Sequence, residues 1–461
     1  MESIDLQTSP PTSRTRSDYS AATPPQERGS TGPAAIETEQ PSGPPTSRVS
    51  QLDRWLVRRL LTTSGCTNVA VRLWNGEAVN LRERPASLTV SLTDRKTLWK
   101  LVYDPGFQFG EAYSEGRLRI EGGTIVELLR ELGAAINREI DAEDRRSRGW
   151  RPFRKHPHRN SLAASKQNIH HHYDIGNEFY RLWLDEQLLY TCAYFEEPGM
   201  SLEQAQIAKM DHVCRKMWLR RGDAVIEAGC GWGAFALHMA RHYGATVRAF
   251  NISHEQIAYA RDRARREGLA DRVEFVEDDW RNITGQSDVF VSIGMLEHVG
   301  PENYPHLGRV IRESLKTDGR GLIHSIGQNQ PRPFDRWIER RIFPGAYPPT
   351  LDEMMDIFGT NALSVLDVEN IRLHYAETLW HWLDRFERSK ERVAEMFDER
   401  FVRMWRLYLA GSFAAFEADR LQLYQVLFSP EQQNGIPRNR RYQYGCDHEP
   451  LRFPGLIGDE N

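Results

Sequence analysis

The segment from Ala224 to Asn251, AVIEAGCGWGAFALHMARHYGATVRAFN, constrains the fold more than any other part of the chain. It reads as strand, glycine-rich turn, helix and second strand in one compact βαβ unit. The apolar run Ala224 to Ala228 feeds Gly229, Cys230, Gly231, Trp232 and Gly233, after which Phe235, Ala236, Met239 and Ala240 recur at helical spacing. Glycines at such a turn let the backbone approach a ligand closely. The spacing is E-x-G-x-G-x-G, whereas a dinucleotide site carries G-x-G-x-x-G, and no Lys-Ser/Thr pair follows as a phosphate cradle requires. An adenosyl ligand without a phosphate chain fits better. Glu227, at the strand end, is placed to hold a ligand's amine or hydroxyl, which suits the amino-acid moiety of S-adenosylmethionine. Taken alone, the glycines are equally compatible with a plain tight βα turn.

Further strand candidates at Thr246 to Phe250, Val273 to Val276, Val289 to Ile293 and Gly321 to Ile326 alternate with helical segments. That alternation predicts an α/β fold with a doubly wound, mostly parallel sheet, and ligands belong at the strands' carboxyl ends. Ser253-His254-Glu255-Gln256 has the form of a capping box, so Gln256 serves either as a cap or as a hydrogen-bond partner for a ribose. Asp278-Asp279-Trp280 offers an acceptor for an adenine amino group beside an aromatic face; Trp280 alone is as readily a core residue.

The 461 residues allow two or three domains. Residues 1 to about 50, rich in Pro, Ser, Thr and Gly, read as a disordered tail with no secretory signal. From 51 to 144 the pattern is that of a small α+β domain, with strands at Val69 to Leu73 and Leu88 to Leu92 and a helix at Ile125 to Ile140. A basic linker spans 145 to 164; its core, RRSRGWRPFRKHPHR, is either a solvated connection or a strip that docks on anionic lipid headgroups through Trp150 and Phe153. Residues 165 to 432 read as one large catalytic domain, ending in an aromatic stretch, Leu379 to Phe428, of helical period that forms core or lines an acyl-chain tunnel. The polar tail from 433 is uninformative.

Composition removes several function classes. Cys66, Cys192, Cys214, Cys230 and Cys446 are odd in number with no C-x-x-C pair, so neither a disulfide framework nor a zinc site is indicated and a reducing cytoplasm is the simplest setting. His170-His171-His172 are consecutive and do not converge on one ion, so no metal is expected. A net charge of -4 argues against a nucleic-acid binder, and no apolar run approaches the length of about 20 residues that spans a bilayer.

Five segments in unbroken order carry a family resemblance: HHYDIGNEFY (171–180), YTCAYF (190–195), VIEAGCGWG (225–233), GMLEHVGPENY (294–304) and LIHSIG (322–327). They resemble the cyclopropane-fatty-acyl-phospholipid synthases and their mycolic-acid relatives, S-adenosylmethionine-dependent enzymes that act on cis double bonds of lipid acyl chains. The likeness runs from about Ser165 to Gln433, and FGEAYSEGRLRIEGG (109–123) looks like the end of the family's amino-terminal domain. It implies a Rossmann-like class I methyltransferase fold. It also implies a bound bicarbonate, held by Cys192, Glu297, His324, the backbone of Ile326 and Tyr375, with a proton shared between Glu297 and the anion. Cofactor contacts carried over are Tyr190, Thr191, Glu227, Gly229, Gly231, Asn251, Gln256, Asp279 and Trp280; Asn251 is a departure, standing where relatives tend to carry a hydroxyl residue. The implied substrate is an unsaturated phospholipid acyl chain in a bilayer, met by peripheral contact from the cytoplasmic side, and a homodimer is open to such a chain. Two other readings stand beside ring formation: a methyl-branched or methylene-bearing product, and a non-catalytic lipid-binding protein.

Overall fold

In the computed structural model the described residues are 48–82, 85–133 and 175–444. The tail up to residue 47, the basic strip 145–159 and the histidines at 170–172 lie outside them.

The amino-terminal part begins with α1 (Gln51–Thr63), which starts where Ser50 and Asp53 form a reciprocal capping box. Strands β1 (Val69–Arg72), β2 (Ala78–Val79), β3 (Leu88–Leu92) and β4 (Leu118–Glu121) form a sheet in the order β2-β1-β3-β4. Between β3 and β4 lie α2 (Arg95–Tyr103) and α3 (Pro105–Ser114), started by the side chains of Asp94 and Asp104 on backbone N–H groups. The apolar core of this sheet runs without a break into that of two carboxy-terminal helices, Arg372–Arg388 and Glu399–Glu417. Polar links join α3 to a third helix, Arg336–Arg341: Glu111 accepts from the Trp337 indole at 3.1 Å and from Arg341 Nε at 2.9 Å. Gly110 leaves room for that indole, since a Cβ there would stand 2.5 Å from the Trp337 ring.

The central sheet is built from β5 (Ala224–Ala228), β6 (Thr246–Asn251), β7 (Val273–Glu277), β8 (Ser287–Ile293), β9 (Leu315–Gly327), β10 (Leu363–Asn370) and β11 (Gln422–Pro430). Its order is β10-β11-β9-β8-β5-β6-β7. Strands β5 to β9 are parallel, while β11 runs antiparallel to both β9 and β10. The order reverses between β5 and β8, the crevice where an open α/β sheet binds its ligand. Alternation along the strands sends Val225, Val289 and Leu322 to one face, covered by α4 (Leu202–Lys216), and Ile226, Phe290 and Ile323 to the other.

Two sequence expectations need correction. The end of the stretch read as helical, Leu379 to Phe428, is β11, whose nine residues are all buried; a strand covered on both faces loses the alternation that would have revealed it. The tail from 433 is not featureless either: Arg215 donates to the Gln443 carbonyl at 2.9 Å and Arg440 pairs with Asp367, so residues up to 444 strap α4 to β10.

Candidate functional site

At the end of β5 the chain turns through three glycines with positive φ, each for a different reason. A Cβ on Gly233 would stand 2.5 Å from the Phe275 ring, so this glycine lets the following helix pack on the sheet. On Gly229 it would meet Met295 at 3.0 Å, and on Gly231 it would meet nothing within 4 Å. Gly231 is the open floor of a cavity of about 140 Å³ at the carboxyl ends of β5, β6, β7 and β8. All nine positions expected to hold the cofactor line this one cavity.

Their local bonds show what each is free to do. Asn251 Nδ2 donates to Gln256 Oε1 at 2.7 Å and to the Gly231 carbonyl at 3.3 Å, tying the end of β6 to the turn. Ser253 caps the next helix by accepting from the Gln256 N–H, but the Gln256 side chain does not return the bond as a capping box requires; it is turned to Asn251 instead. Asp279 is held by Arg281 at 2.9 Å and accepts the Arg281 N–H, while the Arg281 guanidinium covers the Trp280 ring at 4.6 Å. Tyr190 and Tyr408 share a hydroxyl hydrogen bond of 2.6 Å.

Glu227 is 3% exposed, and its Oε2 has no hydrogen-bond partner among the described residues. Burial pushes its carboxyl up to about 8, opposed by the ammonium of Lys209. Lys209 was not anticipated from sequence. It sits on α4, fully buried, lines the cavity, and donates from Nζ to the Thr191 hydroxyl at 2.9 Å. Burial lowers it to about 8, while Asp185, Cys192 and Glu227 pull it up. One turn earlier Gln206 donates to the carbonyls of Leu189 at 3.2 Å and Thr191 at 2.9 Å, so α4 holds the whole Leu189–Cys192 segment. A signal was present: Gln206, Lys209, His212 and Lys216 recur at helical spacing on the buried face of α4, a polar stripe where an apolar one is expected. His298 also lines the cavity, kept neutral by burial that pushes it down to about 4.

None of the five positions expected to hold an anion is part of the cavity lining, though two of them adjoin lining residues in sequence: Cys192 follows Thr191 and Glu297 precedes His298. Glu297 Oε1 accepts the Ile326 N–H at 2.6 Å, and its Oε2 is buried without a partner among the described residues. Burial pushes this carboxyl up to about 7, against the backbone N–H groups of Glu297 itself and Ile326 and the Ser325 hydroxyl. His324 lies on the α4 face of β9. Gln425 Nε2 donates to its Nδ1 at 3.1 Å, which places the ring proton on Nε2, and that atom is again buried and unpartnered among the described residues. Burial and the cations Lys209 and Lys216 hold the ring neutral. Cys192 is fully buried and its thiol is pushed up, so it remains a thiol. The next residue's N–H donates to Thr378 Oγ1 at 3.0 Å, one helical turn from Tyr375. The structure therefore joins Glu297 to Ile326 directly, and ties Cys192 to the helix that carries Tyr375.

The family model described as mycolic acid cyclopropane synthetase matches residues 160–426. The chain belongs to that family. A probable fatty acid methyltransferase of Pseudomonas putida is 36% identical over 369 residues, 77% of this chain and 90% of the relative. The cyclopropane-fatty-acyl-phospholipid synthase of Escherichia coli is 37% identical over 58% of this chain and 68% of its own. Among solved structures, a mycolic acid cyclopropane synthase complexed with SAH and CTAB matches with a TM-score of 0.55 and 27% identity, over 57% of this chain and 97% of that one.

As a member of this family the protein is an S-adenosylmethionine-dependent methyltransferase of the class I fold, with a mostly parallel sheet. The cavity suits that co-substrate: the open Gly231 admits close approach, and the orphaned Glu227 Oε2 is an acceptor awaiting a cation or hydroxyl. No described helix is long and apolar enough to cross a membrane.

Proposed function

We propose that the protein transfers the methyl group of S-adenosylmethionine to a cis double bond of a phospholipid acyl chain and closes a cyclopropane ring. The observation that carries this reading is the pair of buried, unpartnered polar atoms, Glu297 Oε2 and His324 Nε2, beside a cavity suited to an adenosyl ligand. A buried Glu and His could also serve as general base for an amine or hydroxyl, so what favours an alkene is the similarity to cyclopropane synthases and fatty acid methyltransferases. An alkene is a weak nucleophile, so the sulfonium methyl has to be held in line with it where water is excluded. Transfer forms one carbon–carbon bond, releases S-adenosylhomocysteine and leaves a carbocation. Ring closure then needs a proton removed from the new methyl group.

The polar set suits a small oxyanion. With Gln425 Nε2 donating to its Nδ1, His324 would present Nε2–H as a donor, and Glu297, poised at about 7, would offer a second when protonated. Bicarbonate, when bound, would supply the base for that proton and a counter-charge to the cation. Cys192, the Ile326 backbone and Tyr375 would complete its surroundings. Glu227, Asn251, Gln256, Asp279 and Trp280 would position the co-substrate, with Tyr190, Thr191 and the turn at Gly229 and Gly231 closing around it.

A second reading is favoured by the similarity to fatty acid methyltransferases, including a tuberculostearic acid methyltransferase of Mycobacterium tuberculosis at 34% identity over 69% of this chain. There a hydride would move from the methylated carbon to the neighbouring cationic carbon, and loss of a proton from the new methyl group would then give a methylene-bearing chain. Mass spectrometry of lipids from cells expressing the protein separates the two. A ring adds CH2 and resists mild hydrogenation; a methylene product adds CH2 and takes up hydrogen. Unmodified lipids would sink both.

A further inference from the structure

Ten large hydrophobic side chains are exposed among the described residues, and four of them lie on α1 and α2. On α1, Leu52 (46%) and Trp55 (52%) stand in one outward stripe with Arg59, whose guanidinium lies 5.4 Å from the Trp55 ring centre. On α2, Trp99 (45%) and Tyr103 (92%) stand in another with Lys96, at the helical spacing 96, 99, 103. The two helices touch, and the Arg95 side chain bridges them at 2.8 Å to Asp53.

The charge on these faces has one sign. The sole acid of α1, Asp53, is buried and paired, and α2 contains no acid. Arg54 is committed to Glu77 and Arg95 to Asp53, whereas Arg58, Arg59, Lys96 and Lys100 enter no ion pair among the described residues. Aromatic rings interleaved with unpaired cations match the headgroup level of an anionic bilayer: the rings enter the interface and the long cationic stems keep their heads at the phosphates. A second copy of the chain fits badly, because an isologous contact would set these cations against themselves.

We infer that the outward faces of α1 and α2 dock the protein on an anionic lipid surface, which brings the acyl chain to the catalytic domain. The inference rests on the lipid reading proposed above, and names a surface for the contact that is separate from the basic strip at 145–159.

The test uses the full chain, flotation with vesicles of phosphatidylcholine alone or mixed with phosphatidylglycerol, and two exposed-residue variants: W55S/W99S and R58E/R59E/K96E. Each neutralised cation is worth about fivefold in partitioning, so the charge variant is expected to lose at least about 100-fold of its binding to the anionic vesicles. The tryptophan variant is expected to lose about tenfold or more. Both should keep wild-type turnover of the same lipid dispersed in detergent micelles. Binding retained by both variants overturns the proposal. So does a change in solution mass with these substitutions, which would make the patch a self-association face. If micellar lipid is not modified by the wild type, the functional reading fails, while the flotation arms still decide the surface.

Discussion

The cofactor cavity and the inner polar set each contain a buried glutamate with one orphaned oxygen, yet they are assembled in different ways. Around Glu227 the contacts come largely from short consecutive pieces, the turn 229–233, the β6 end at Asn251 to Gln256, and Asp278 to Trp280. Glu297 instead takes its hydrogen bond from a distant segment, the Ile326 N–H at the end of β9, and Cys192 is tied through the next residue to Thr378 on the helix that carries Tyr375. Glu227 has a buried cation working on it, Lys209; Glu297 has no such cation, only the backbone N–H groups of Glu297 and Ile326 and the Ser325 hydroxyl. The first is built to be ionised by a cationic ligand, the second to keep a proton near neutrality.

The largest expected effect breaks or keeps that separation. Glu297→Ala and His324→Ala should each lower turnover by about 1000-fold, the range for a lost acid–base group, while calorimetric affinity for S-adenosylmethionine stays within about threefold. A parallel loss of affinity would show that the two regions are one. Conversely, Glu227→Gln should weaken that affinity by about 100-fold, the scale of a lost charge-assisted hydrogen bond.

Glu227 also carries a stability signature with a definite sign. Its carboxyl ionises near 4.5 in the unfolded chain and at about 8 when folded, so the folded state holds the extra proton in between and stability falls as pH rises through that window. Without ligand, Glu227→Gln should therefore melt a few °C above wild type at pH 8.5, and the difference should vanish near pH 4.

A smaller effect is expected at Lys209. Lys209→Met removes the cation that favours ionised Glu227, so affinity should drop by about tenfold at pH 7 and recover as pH is raised to 9. Loss of affinity at every pH alike would mean that Lys209 only packs. The finest test concerns the proton on Glu297. Turnover should decline above pH 7 as that carboxyl ionises, and Glu297→Gln, whose amide is a permanent donor, should flatten the decline whatever its absolute rate.

Much of the cavity was legible because its residues lie within a few positions of a strand end, where period and turn chemistry announce themselves. Lys209 was overlooked because a lysine in AQIAKMD reads as a solvated helix position unless the polar stripe of that helix is noticed; its partners, the Thr191 hydroxyl and the nearby Glu227 carboxyl, appear only in the fold. β11 was overlooked because burial on both faces erases its alternation.

The amino-acid sequence by itself determined the α/β class and the glycine turn, which depend on local spacing, while the remaining candidate site residues were legible only through the resemblance of five ordered segments to a known family. The tertiary structure alone decided the partners: that strand alternation aims Glu227 and His324 at the face covered by α4, that Gln256 turns from its cap to Asn251, and that Ile326 lends its N–H to Glu297. Apart from Gln256 and Asn251, which are neighbours in sequence, those pairings join segments tens of residues apart, and the energies that select them come from burial and desolvation, which arise only after the sheet and its helices have closed over one another.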